Sequence, residues 1–172
     1  SKRLGLKKIA DEIYEFPSKL TRIDCYVSQI SEKPVLDWHL DNAYSGQENI
    51  TDFVDPEENS IKFFFYLSDV YKDNGCLSYI PYSNNLAYAL KKGIYENKLK
   101  YTPYWKLEDF RRTIQIKENY QYIQNYVDEE NIANFLKMTS QEDLSLNEGK
   151  YDKPIKTGGA VIFDEAGSHR GS

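Results

Sequence analysis

Ile61 to Val70 (IKFFFYLSDV) puts apolar or aromatic side chains on both faces of any strand it forms. A strand of that kind belongs between two layers, in the middle of a sandwich or barrel. Its surroundings read as further strands. Arg22 to Ile30 (RIDCYVSQI) alternates, with Ile23, Cys25 and Val27 on one side and Asp24, Tyr26 and Ser28 on the other. After a turn at Ser31 to Pro34, Val35 to Asp41 (VLDWHLD) is again strand-like, and residues 42–60 are polar and rich in turn formers, hence a loop. Lys72-Asp73-Asn74-Gly75 reads as a hairpin turn, because Asn-Gly supplies the positive φ angles such turns need. Cys76 to Pro81 (CLSYIP) is then expected to return as the partner of the 61–70 strand.

Helical spacing appears in two places. Residues 5–16 carry Leu6, Ile9, Ile13 and Tyr14 on one helical face, and Pro17 stops the helix. From residue 84 to about 150, Leu86, Leu90 and Ile94, then Ile116, Tyr120, Ile123 and Val127, recur at helical intervals. Asp128 reads as the N-cap of a further helix carrying Ile132, Phe135 and Leu136. Lys156 to Gly159 is a turn, and Ala160 to Asp164 (AVIFD) is a strand. Strands, a helical insertion and more strands predict a mainly β fold with helices (α+β). The expected core is a double-stranded β-helix of the jelly-roll or cupin type, with the insertion at about 84–150, in a single domain over residues 1–172.

Bulk properties narrow the function. The net charge of −5 comes with 22 basic residues spread along the chain, which argues against nucleic acid as a partner. No apolar run reaches the length of a membrane span, and SKRLGLKKIADEIYEF is too polar for a signal peptide. Cys25 and Cys76 form no CxxC pair and read as buried thiols of a reducing, cytoplasmic setting. The oligomeric state is not encoded legibly.

The chain has only 2 histidines. On a strand, residues i and i+2 share a face, so His39 and Asp41 in Trp38-His39-Leu40-Asp41 can reach one point. His169 follows the last predicted strand. Two imidazoles and one carboxylate form the facial triad that suits Fe(II), because it leaves open positions for co-substrate and O2. The spacing alone is weak: a strand histidine is more often a core or surface residue than a ligand.

Three blocks together resemble the phytanoyl-CoA dioxygenase family of Fe(II)- and 2-oxoglutarate-dependent oxygenases. LDWHLDNAY is similar to its Trp-His-x-Asp block, KFFFYLSDVYKDNGCLSYIPYSNN to its central hairpin with the Asn-Gly-x-Leu turn, and GGAVIFDEAGSHRGS to its last block. The resemblance runs from about residue 20 to the end. It implies His39, Asp41 and His169 as iron ligands, 2-oxoglutarate and O2 as co-substrates, and hydroxylation of a small organic or lipid-like substrate with release of succinate and CO2. Because Asp41 keeps the carboxylate position, it also implies hydroxylation rather than halogenation. The alternatives are a non-catalytic jelly-roll binding module and a cupin-type enzyme using another metal.

The family's arginine for the far carboxylate of 2-oxoglutarate falls some ten residues past the distal histidine. The C-terminal strand or strands are therefore expected beyond Ser172, with Arg170 pointing away from the site. Within the chain, the face of the 61–67 strand bearing Lys62, Phe64 and Tyr66 is expected to line the cavity. Lys62 would be a cation for a carboxylate and Phe64 an apolar wall. Tyr26 is a further candidate donor to the co-substrate. Arg111 and Arg112 are expected on a solvated helix face, with an anionic substrate at the entrance as the alternative.

Overall fold

The computed structural model describes residues 5–27, 36–41, 43, 60–72, 74–147 and 149–171. The chain is α+β, with two antiparallel sheets and six helices among the described residues. Helix α1 (Leu6–Tyr14) buries only Ala10 and ends at Glu15, whose φ of 57° is left-handed, just ahead of Pro17. The strand expected from Arg22 is not formed over residues 22–27, where Ile23 is 80% and Val27 94% exposed. Alternation supplies a face, but a strand also needs a partner ladder, and none of the described strands pairs with this stretch. Residues 28–30 and the turn at 31–34 lie outside the described residues. So does most of the 42–60 loop.

Strand β1 (Leu36–His39) pairs with β6 (His169–Gly171), β6 with β3 (Leu77–Tyr79), and β3 with β4 (Asp152–Lys153). The second sheet joins β2 (Ile61–Phe65) to β5 (Ala160–Asp164). The expected β2–β3 hairpin is therefore corrected. The turn at Asn74-Gly75 exists, with Gly75 at φ 93° and the Asn74 side chain accepting from the Tyr71 N–H. It carries the chain from one sheet to the other rather than back along the same ladder. Asn-Gly chemistry specifies a reversal and leaves the pairing partner open.

The helical insertion comprises α2 (Ser83–Tyr95), α3 (Leu107–Gln115), α4 (Lys117–Ile123), α5 (Glu129–Met138) and α6 (Gln141–Leu146). Leu86, Leu90, Ile94, Phe110, Ile114, Ile123, Ile132 and Phe135 are buried in one cluster, which Leu40 and Ile80 join from the sheet side. Phe110 meets Phe135 edge-on at 5.4 Å. Burying each such side chain stabilises the fold by about 1.5–3 kcal/mol, enough to seat the insertion firmly on the sheet. Ile116 departs from the expected stripe. It is the extended residue between α3 and α4 (φ −61°, ψ 127°) and is 40% exposed. Asp128 takes the N-cap position of α5 without a side-chain cap bond, whereas Ser140 caps α6 by accepting from the Asp143 N–H at 3.1 Å.

Candidate metal centre

His39 closes β1 and His169 opens β6, and the antiparallel register sets them opposite each other with ring centroids 4.5 Å apart. Asp41 lies past the end of β1, so strand alternation alone does not deliver it. The Leu40 N–H is held by Trp105 O at 2.9 Å with the Leu40 side chain in the core. The Asp41 N–H is held by Glu165 O, just after β5, at 3.1 Å. These two bonds steer the Asp41 carboxylate to the histidines. Its Oδ1 lies 3.6 Å from His39 Nε2 and its Oδ2 3.4 Å from His169 Nε2. The three donor atoms fall within 4.8 Å of one another.

Both imidazoles have their tautomer set by the backbone. His39 Nδ1 is 2.7 Å from Asp37 O, and His169 Nδ1 is 2.8 Å from Gly167 O. A carbonyl oxygen can only accept, so each Nδ1 carries the hydrogen and each neutral ring turns its Nε2 lone pair toward Asp41. The histidines are 5% and 4% exposed. Lone pairs and a carboxylate so close repel unless a proton or a metal cation lies among them. For His39, burial lowers the pKa and works against the added proton. The donor set, N, N and O with backbone-oriented imidazoles, fits a divalent first-row metal.

The histidine side of the site is aromatic. Trp105 lies 5.5 Å from His39, Phe163 lies 5.0 Å from His169, and Phe64 packs edge-on to Phe163 at 5.1 Å. Phe64 thus stands on the inward face, as its position in β2 predicts. The Tyr66 hydroxyl accepts from the Leu77 N–H at 3.2 Å and ties the two sheets together. Lys62, from the same face, donates to Asp41 and lies 3.2 Å from Glu165 Oε2. Burial pulls against both charges of this pair. The contact nevertheless raises the Lys62 pKa, and the Lys62 ammonium holds the Asp41 carboxyl below the usual range. The ammonium expected to serve a co-substrate carboxylate is thus engaged by two carboxylates of the chain itself.

Other expected residues fall elsewhere. Tyr26 is 74% exposed in the stretch without regular structure and is not part of the buried cluster. Arg170 points away, as expected, with its guanidinium 4.9 Å over the Trp38 ring. Both residues line a cavity of about 260 Å³ with Tyr151 and Asp152, which alternation places on the sheet face opposite the histidines. Arg111 is not on a solvated face: it donates to Leu136 O and Thr139 Oγ1 and ties α3 to the end of α5, while Arg112 stays exposed beside Asp109. Cys76 is buried but Cys25 is exposed, which corrects the expectation that both thiols are covered.

Three residues without a predicted role build the site. Ser83 Oγ donates to Ile80 O and accepts the Ser168 N–H, both at 2.7 Å, and so fixes the segment leading into His169. Gly167 presents the carbonyl that orients His169 and has no room for a side chain: a Cβ would sit 2.0 Å from the Tyr79 hydroxyl. Glu165 holds Asp41 through its backbone and Lys62 through its carboxylate. Of these, only the small residue before Ser168-His169 leaves a visible signal in the sequence.

The phytanoyl-CoA dioxygenase family model matches residues 7–172. The chain belongs to the phytanoyl-CoA dioxygenase family. Members of this family are Fe(II)- and 2-oxoglutarate-dependent oxygenases, and the His39–Asp41–His169 cluster supplies the donor types their iron takes. No curated protein and no solved structure matches the chain. Among the described residues no helix is long and apolar enough to cross a membrane.

Proposed function

We propose that this phytanoyl-CoA dioxygenase family chain is a 2-oxoglutarate-dependent dioxygenase that hydroxylates a small organic or lipid-like substrate, releasing succinate and CO2. The observation that carries this reading is the convergence of two Nε2 lone pairs, each fixed by a backbone carbonyl, on the Asp41 carboxylate. His39, Asp41 and His169 would hold Fe(II), which when bound supplies O2 activation coupled to oxidation of 2-oxoglutarate. Asp37 O and Gly167 O keep both rings in the ligating tautomer. Trp105 and Phe163 pack against the histidine rings, with Phe64 edge-on behind Phe163, and give the site an apolar wall. Lys62 can serve a co-substrate carboxylate only by giving up Asp41 or Glu165. We read the two antiparallel sheets as halves of a jelly-roll core in one domain.

One observation favours a second reading, a non-catalytic binding module: Lys62 already supplies a positive charge to Asp41. Turnover separates the two. With Fe(II), ascorbate and air, the full-length enzyme should convert 2-oxoglutarate to succinate, and Asp41→Ala should abolish the conversion by removing one of three ligands. Undiminished succinate formation in that variant would contradict the role given to Asp41. No succinate from the unaltered full-length protein would favour the binding module.

A further inference from the structure

Lys62 belongs to β2, in the two-stranded sheet, yet its ammonium reaches the cluster formed on the other sheet. It contacts Asp41 Oδ2, the oxygen that also faces His169 Nε2 at 3.4 Å, and it lies 3.2 Å from Glu165 Oε2. The side chains of Lys62, Asp41 and Glu165 are 34%, 28% and 12% exposed, so the three charges are only partly screened by water. An ammonium and a divalent ion on one carboxylate repel each other, more strongly here than in bulk solvent. We propose that Lys62 is a built-in competitor for the carboxylate ligand of the metal, and that Glu165 is the positioning residue that draws its ammonium aside. This rests on the reading of His39, Asp41 and His169 as a metal site.

The backbone suits that division of labour. Lys62 pairs with Phe163 in the β2–β5 ladder, so the base of its side chain is held while four methylenes leave the head free to pivot. Glu165 follows β5, and its carbonyl accepts the Asp41 N–H at 3.1 Å, which keeps the two carboxylates at a set spacing. Shifting the ammonium toward Glu165 releases Asp41 without exposing an unpaired buried charge. Opposite effects follow from the two side chains. Loss of the ammonium strengthens metal binding, and loss of the Glu165 charge weakens it, because among the described carboxylates that pair with Lys62 only Asp41 then remains. A purely structural role would weaken binding in both cases.

Co(II) is a suitable probe, read by its visible absorbance on titration into the unaltered chain, Lys62→Met, Glu165→Gln and the double variant. Circular dichroism checks that each is folded. Lys62→Met should bind Co(II) about tenfold more tightly and Glu165→Gln about tenfold more weakly. With Met at 62, adding Glu165→Gln should change affinity less than about threefold, since no ammonium remains to be drawn aside. A folded Lys62→Met variant that binds Co(II) equally or more weakly overturns the competitor role. An equal Glu165→Gln effect in both backgrounds overturns the positioning role and leaves only a distant charge. If Lys62→Met does not fold, Lys62→Gln puts the same question with the same two outcomes. Absence of Co(II) binding by every variant, Lys62→Met included, overturns the metal-site reading itself. Binding that survives Asp41→Ala does the same.

Discussion

At the scale of single residues, the candidate site depends as much on Gly167 as on His39, Asp41 and His169. Its carbonyl fixes the His169 tautomer, and the Tyr79 ring occupies the space of a side chain, with Cζ 2.4 Å and the hydroxyl 2.0 Å from a built Cβ. Gly167→Ala should therefore destabilise the fold by about 1–3 kcal/mol, as overpacking does, and weaken Co(II) binding together with it. Adding Tyr79→Phe removes the nearest atom but not the ring, so urea unfolding of the double variant should show partial recovery. Full wild-type stability in Gly167→Ala would mean that the ring moves freely. The candidate ligands His39, Asp41 and His169 were legible in the sequence because histidine is scarce here and its neighbours follow a recognisable pattern. Ser83 and Glu165 were not legible, because their roles come from hydrogen bonds between segments far apart in the chain, whereas Gly167 shows in the sequence only as a small residue just before Ser168-His169. Tyr26 was misread because its usefulness depended on a strand that the described residues do not form.

Elements show the same division between local and non-local information. The helices at 83–95, 117–123 and 129–138 follow from apolar spacing, and β2 and β5 from dense β-branched and aromatic runs, whereas the helix at 107–115 was not read from the sequence. Pairing is another matter, and the placement of β2 and β3 in different sheets is written in contacts across nearly a hundred residues. Asp69 lies on one such crossing. It accepts from the Thr157 N–H and Oγ1 at 2.8 Å each, from the Tyr71 hydroxyl at 2.7 Å, and pairs with Lys156 at 3.1 Å. The backbone bond from Thr157 leads the causes that hold its carboxyl well below the ordinary range. A depressed carboxylate stabilises the fold above its unfolded pKa, near 4, and loses that contribution as the pH falls toward its folded value. Melting temperatures of the unaltered chain and Asp69→Asn should therefore differ most at neutral pH and converge below about pH 4. A gap that stays constant from pH 7 to pH 3 would show that the carboxylate charge is not what joins these turns.

Over the whole molecule, the candidate metal cluster gathers segments that are remote in sequence. β1 brings His39, the stretch beyond it brings Asp41, and β6, at the other end of the described residues, brings His169. Leu40, between two of the donors, is fully buried in the core shared with the helices, and Ile80 and Ser83 tie the same core to Ser168. Unfolding any of these parts scatters the donors, so a bound ion must stabilise the molecule as a unit rather than one loop. For an ion that binds only the folded state, a free concentration of a hundred times Kd adds about 2.7 kcal/mol. In a chain of this size that corresponds to a rise in Tm of about 5–10 °C. Co(II) should produce that rise in a single cooperative transition, excess EDTA should reverse it, and Asp41→Ala should show almost none of it. A shift of equal size in Asp41→Ala would trace the stabilisation to surface carboxylates. A shift seen only in a separate, early transition would mean that the cluster opens without unfolding the core, which the burial of Leu40 between its ligands argues against.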